Sequence, residues 1–166
     1  GGRLVILLDC ARAMTSLDGG RSKLDHALAT ALALTRVAAA RGDRVTVIPF
    51  ADRVERIVRV RPSTGGLARA DRALYDVQAR LAEPAYDAAA EAAYAAEPRR
   101  AVVVLFTSVV DLAAAELLRE AMLRLELRHR LPRLWEQVRA GQVPAWRARA
   151  VAETTIHSTP SFTAEA

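Results

Sequence analysis

The chain has 166 residues, enough for one domain with a real core, and 52% hydrophobic content with mean hydropathy near zero marks a globular class. No apolar run approaches the roughly 20 residues of a membrane span, and no secretory signal is visible. A single cysteine, Cys10, excludes an internal disulfide framework and fits a reducing, cytoplasmic compartment. The pI near 10.3 raises nucleic acid as a partner, but the charge is uneven. Residues 1–127 hold 18 Lys+Arg against 16 Asp+Glu, and residues 128–166 hold 6 against 3. The body is nearly balanced and interleaves no aromatic stacking platforms with its basic residues, so nucleic acid is not the expected partner.

The first element is the run Leu4-Val5-Ile6-Leu7-Leu8, closed by Asp9. A continuous apolar run bounded by a polar turn is how a strand buried on both faces reads. Asp9 then lies at the carboxyl end of that strand, where open α/β sheets bind ligands. The plainer reading is that its side-chain oxygen caps the following turn. Cys10 beside it reads as a packed thiol rather than a reactive one.

Ser22, with Asp25 three residues on, forms a loose capping box for a helix over residues 23–41. In this stretch Leu24, Ala27, Leu28, Ala31, Leu32 and Thr35 recur at threes and fours, and Gly42 ends it. His26 on this helix has no second His or Cys at metal spacing and reads as a surface residue. Residues 45–50 are the second strand and 54–60 the third. The connection between them is too short for a parallel crossover, so the pair is an antiparallel hairpin. The loop Arg61-Pro62-Ser63-Thr64-Gly65-Gly66 leads into a helix near 67–81. After Pro84, residues 85–97 form an Ala-rich helix with Tyr86, Ala90 and Tyr94 on one stripe. Residues 101–108 repeat the buried design of the first strand, and 112–127 form a helix. The β-α-β-β-α-α-β-α order means a layered α/β sheet.

From Arg128 the character changes. Trp135, Trp146, His129 and His157 fall here, and Pro132, Pro144 and Pro160 interrupt any period. Residues 134–140 read as one short amphipathic helix, and no further apolar strand follows. The expected division is a domain over 1–129, its last strands missing, and an irregular tail over 130–166. A shifted reading frame would produce such a tail. The opening Gly1-Gly2-Arg3, which enters a buried strand at once, is expected of a piece of a longer protein.

Three loops, 9–15, 63–66 and 107–111, are expected at one end of the sheet. In this order they resemble the von Willebrand factor A domain, a Rossmann-like α/β sheet with one antiparallel edge hairpin. The resemblance implies a metal-ion-dependent adhesion site: an Asp-x-Ser-x-Ser turn from the first loop, a Thr from the second and an Asp from the third, holding Mg²⁺ through oxygens. Asp9 matches the first ligand and Thr64 the second-loop Thr. Ala11 and Ala13 stand where the two Ser belong, and Ser108 stands where the third-loop Asp belongs. Thr15, Ser16 and Asp111 carry oxygen but are out of register. Asp9, Thr64 and Ser108 therefore make a degenerate site, and no resident cofactor, Mg²⁺ included, is expected.

The stretches Leu8-Asp9-Cys10-Ala11-Arg12-Ala13-Met14, Asp18-Gly19-Gly20-Arg21-Ser22-Lys23-Leu24-Asp25, Arg41-Gly42-Asp43-Arg44-Val45, Phe50-Ala51-Asp52-Arg53-Val54 and Leu105-Phe106-Thr107-Ser108 are similar to a bacterial subgroup, the domain-of-unknown-function-58 proteins. The resemblance spans about residues 3–129. It implies a non-enzymatic adaptor for a MoxR-type AAA+ ATPase, in a parent protein anchored to the inner membrane. The chain itself has no Gly-rich loop followed by Lys-Ser/Thr for ATP. Two alternatives stand beside this reading. One is a phosphatase-like hydrolase with Asp9 as nucleophile, which lacks an acid/base residue at Ala11 and a downstream Lys. The other is a nucleic-acid or acidic-membrane contact through Arg130, Arg133, Arg139, Arg147 and Arg149.

Overall fold

A computed structural model describes residues 1–63, 65–130, 136 and 139–141. The elements run β1 (Arg3–Asp9), a 3₁₀ turn (Arg12–Thr15), β2 (Leu17–Asp18), β3 (Arg21–Ser22), α1 (Lys23–Ala40), β4 (Arg44–Phe50), β5 (Val58–Val60), α2 (Gly66–Leu74), α3 (Tyr86–Ala96), β6 (Val102–Phe106) and α4 (Leu112–Arg130). The expected α/β layering is present. The main sheet has the order β5-β4-β1-β6, and β2-β3 form a separate small hairpin. β1 is parallel to β4, with Arg3 opposite Arg44 and Asp9 opposite Phe50, and parallel to β6, with Leu4 opposite Val102. β5 is antiparallel to β4, as its short connection requires.

Side chains alternate across a strand, so the apolar run of β1 feeds two cores. Leu4, Ile6 and Leu8 pack with Val45, Val47 and Val60 under α1 and α2. Val5 and Leu7 pack with Ile48 and Phe50 under α3 and α4, whose Ala89, Ala90, Ala93, Ala121 and Leu125 close that layer. α1 buries Leu24, Ala27, Ala31, Thr35 and Ala38. The Thr35 hydroxyl removes its own desolvation cost by donating to the Ala31 carbonyl at 2.7 Å. Its start is the expected capping box: the Asp25 N–H donates to Ser22 Oγ, and the Ser22 N–H donates to Asp25 Oδ2. Gly42 takes φ +81° just past the end, a conformation that a side chain would strain.

Three elements differ from expectation for nonlocal reasons. The third strand, expected over 54–60, is ordered only at Val58–Val60, with one isolated bridge between Phe50 and Val54. Residues between them leave the ladder: the Arg56 Nη1 donates to the Ala73 carbonyl and to Asp76 Oδ1, both at 2.7 Å. The same guanidinium takes up a C-terminal carbonyl of α2, and the helix stops at Leu74 rather than near 81. Lastly, β6 is half-exposed rather than buried like β1, because among the described residues it is an edge of the sheet. α4 runs past 127 to Arg130. The short helix expected at 134–140 and the tail beyond it lie mostly outside the described residues. Among the described residues no helix is long and apolar enough to cross a membrane.

Candidate functional site

Strand β1 delivers Asp9 to the end of the sheet with its side chain fully buried. Both carboxylate oxygens are occupied. The Ala11 N–H donates to Oδ1 at 2.7 Å, which is the turn-capping role open to an Asp at a strand end. The Thr107 hydroxyl donates to Oδ2 at 2.6 Å. Thr107 Oγ1 also lies 2.8 Å from the Tyr86 hydroxyl. A threonine hydroxyl has one proton, so with Thr107 donating to Asp9 the phenol of Tyr86 donates to Thr107. The Tyr86 ring meets Phe50 edge-to-face at 6.0 Å, which fixes the head of this relay.

Burial sets the electrostatics. Desolvation pushes the Asp9 carboxyl above the usual carboxylate range, the Thr107 and Ala11 hydrogen bonds oppose it, and the charge of Glu83 adds to the rise. Burial likewise raises Tyr86. The Cys10 thiol is pushed up to about 12, first by burial and then by the neighbouring Asp9 charge. Cys10 is buried and donates toward the Leu8 carbonyl. It is a packed thiol, not a nucleophile at neutral pH.

The structure gathers the first and third expected loops around Asp9, but not the second. β5 runs antiparallel to β4 and pairs Val60 with Val45, so the chain leaves β5 at the end where β1 and β4 begin. Ser63 lines a cleft there with Arg3, Gly42 and Arg44. Thr64 itself lies outside the described residues; its neighbour Ser63 lies at the end opposite Asp9. The segment that does meet Asp9 is 75–85. Its Arg80 N–H donates to the Cys10 carbonyl, the Arg12 N–H donates to the Ala82 carbonyl, and the Ala85 N–H donates to the Ala51 carbonyl. That segment contains no Ser or Thr, and it brings Tyr86 instead.

Ser108 is at the Asp9 end as expected, and its Oγ accepts from the Lys23 ammonium at 2.8 Å. His26 is a surface residue whose Nε2 lies 2.9 Å from the Asp18 carbonyl. Sequence reading missed Thr107 and Tyr86 as partners of Asp9. One signal for Thr107 was available: β6 pairs Phe106 with Leu8, and one further step sets Thr107 beside Asp9.

These groups do not fit a resident Mg²⁺, which wants six oxygens and sheds water reluctantly. Ala11 and Ala13 offer none, both Asp9 oxygens already accept hydrogen bonds, and Ser108 holds an ammonium. Among the described residues no three His, Cys, Asp or Glu are grouped to hold a metal. What the end does present is aliphatic surface. Leu17 in β2 is 73% exposed, Leu81 in the 75–85 segment 79% and Val110 after β6 66%.

The family description that matches the chain is that of the von Willebrand factor type A domain, over residues 4–110. The match covers β1 through β6, and with them the Asp9–Thr107–Tyr86 relay. No curated protein matches the chain.

Proposed function

The chain belongs to the von Willebrand factor type A family, and on that premise we propose that it is a non-enzymatic adaptor that binds its protein partner with the Asp9 end of the sheet and without a metal ion. Domains of this family generally mediate protein–protein interaction. The observation that carries the reading is the exposure of the aliphatic residues Leu17, Leu81 and Val109–Val110, on segments that follow β1, α2 and β6, beside a buried Asp9 that accepts hydrogen bonds on both oxygens. Exposed apolar residues grouped on one face mark interaction surfaces. A fully buried carboxylate that already accepts a hydrogen bond on each oxygen, with no hydroxyl at positions 11 and 13 beside it, is a poor start for a six-oxygen Mg²⁺ shell. The partner proposed is a MoxR-type AAA+ ATPase, on the strength of the resemblance carried by residues 8–14, 18–25, 41–45, 50–54 and 105–108.

Two measurements test this. Thermal melts with Mg²⁺ or Mn²⁺ against chelator are expected to coincide, because only a ligand bound to the native state raises the midpoint. A metal-dependent rise that disappears in Asp9→Ala would overturn the metal-free site. Binding to the purified ATPase is expected to fall at least tenfold in Leu81→Asp/Val110→Asp, a change that keeps the core intact. Unchanged binding would move the interface elsewhere.

A further inference from the structure

At the end of the sheet opposite Asp9, the starts of the strands bring guanidinium groups together. Arg3 opens β1 in register with Arg44, which opens β4. Arg61 lies one step past Val60, whose register partner is Val45, next to Arg44. Arg69 comes from the first turn of α2. With Ser63 they line a cleft of about 770 Å³, a size typical of small-molecule sites.

Among the described residues no carboxylate lines this cleft. The acids nearest in sequence and register are engaged: Glu97 pairs with Arg3 at 3.3 Å, and Asp43 accepts the Gly2 N–H. Among the described residues Arg44, Arg61 and Arg69 have no carboxylate within ion-pair distance. Several arginines elsewhere pair with acids, as Arg12 with Glu83, Arg36 with Asp71, Arg56 with Asp76 and Arg80 with Asp52. Like charges facing one another on neighbouring strands cost stability, since strands sit only about 4.8 Å apart. Glu97 offsets Arg3 here, which leaves Arg44, Arg61 and Arg69 as the cleft's unpaired cations among the described residues.

We propose that this cleft binds the phosphate group of a mono- or diphosphate ester, held by Arg44, Arg61 and Arg69. Planar guanidinium forks match phosphate oxygens in pairs, and several converging on one point suit a dianion better than a carboxylate. The start of α2 points the same way. Its N-cap is Gly65 at φ +82°, which has no side chain to cap with, and its first turn holds no acid. The positive end of the helix dipole therefore adds to the arginines rather than being cancelled. The phosphate belongs to a free ester or to a lipid headgroup, and the test separates the two.

The probes are sodium pyrophosphate and inorganic phosphate, titrated calorimetrically into the 166-residue chain at fixed ionic strength, with acetate as control. Saturable one-site binding of pyrophosphate, absent with acetate, is expected. It should weaken at least tenfold in Arg61→Ala/Arg69→Ala and stay within twofold in Arg53→Ala/Arg72→Ala, which removes the same charge elsewhere. No saturable binding, or equal weakening in both double variants, would overturn the site. Melts of each variant confirm that it folds before it is scored. Co-sedimentation with phosphatidylcholine vesicles carrying phosphatidic acid then assigns the source. Binding displaced by pyrophosphate indicates a headgroup, and no binding indicates a free ester.

Discussion

Replacing Asp9 by Asn separates the cost of burying a charge from the value of its hydrogen bonds. Asn keeps the shape, its carbonyl oxygen can still accept from the Ala11 N–H, and its amide donates where the carboxylate accepted. Thr107 must then turn its proton toward the Tyr86 oxygen, which the 2.8 Å separation permits. The exchange loses the extra strength of two hydrogen bonds to a charged acceptor, each about 1 kcal/mol above a neutral one. It also removes a buried ionised carboxylate, whose effective desolvation costs several kcal/mol. The net expectation is that Asp9→Asn is about 1–2 kcal/mol more stable than the parent at neutral pH. The pH dependence fixes the sign. Asp9 has its folded pKa raised above the ordinary 3.8, so the folded state holds the proton more tightly than the unfolded one. Its contribution to stability is present in full below the unfolded pKa and is lost as pH rises through the folded pKa. The advantage of Asp9→Asn should therefore grow from near zero in acid to a plateau, by about 1.4 kcal/mol for each pH unit of displacement. Urea unfolding of both proteins from pH 3.5 to 8 measures this, with the other carboxylates cancelling in the difference. An advantage that shrinks with rising pH, or a loss above about 2 kcal/mol at pH 7, would refute the argument that desolvation outweighs hydrogen bonding at Asp9.

Thr107→Val leaves Asp9 Oδ2 and the Tyr86 hydroxyl without partners and should cost about 2–3 kcal/mol in urea unfolding, whereas Tyr86→Phe, which removes only the head of the relay, should cost about 1 kcal/mol. With its thiol pushed up to about 12 and buried, Cys10 should resist iodoacetamide at pH 8 and be labelled only as urea unfolds the chain; stoichiometric labelling of the native protein would contradict the packing. Positions 11, 13 and 108 lack the oxygens that a Mg²⁺ site of this family would use. Ala11→Ser/Ala13→Ser/Ser108→Asp should therefore acquire a Mg²⁺-dependent rise in melting midpoint that the parent lacks.

Much of the fold was legible because it is decided locally. The five apolar residues before Asp9 implied a strand buried on both faces, and β1 feeds both cores. Ser22 and Asp25 implied the start of α1 and Gly42 its end, and both positions act as their chemistry requires. The short turn after Phe50 implied an antiparallel return. What was not legible is decided at a distance. α2 stops at Leu74 because Arg56, ten residues before its start, takes the Ala73 carbonyl and Asp76. The apolar run of β6 matches that of β1 in composition, yet its exposure depends on which strands flank it. The misplacement of the 63–66 loop has a different cause. Two parallel strands running toward Asp9 and one antiparallel strand running back leave the chain at the far end, so the hairpin itself dictated the correct answer.

The direction of β5 also keeps the two proposed surfaces at opposite ends of the sheet. One end carries a buried carboxylate, and the other carries four arginines, of which only Arg3 has an acid partner among the described residues. Asp9 and Arg3 are the two ends of one seven-residue strand, roughly 20 Å apart. Perturbations that far apart with no shared partners add independently. Leu81→Asp/Val110→Asp should therefore leave pyrophosphate affinity within twofold of the parent, and Arg61→Ala/Arg69→Ala should leave binding to the ATPase likewise unchanged. A severalfold effect of either pair of changes on the other affinity would require either transmission along the strand or a shared surface. The relay from Tyr86 through Thr107 to Asp9 reaches only the one end and supplies no path for that, so such a result would place the two ligands on one shared surface.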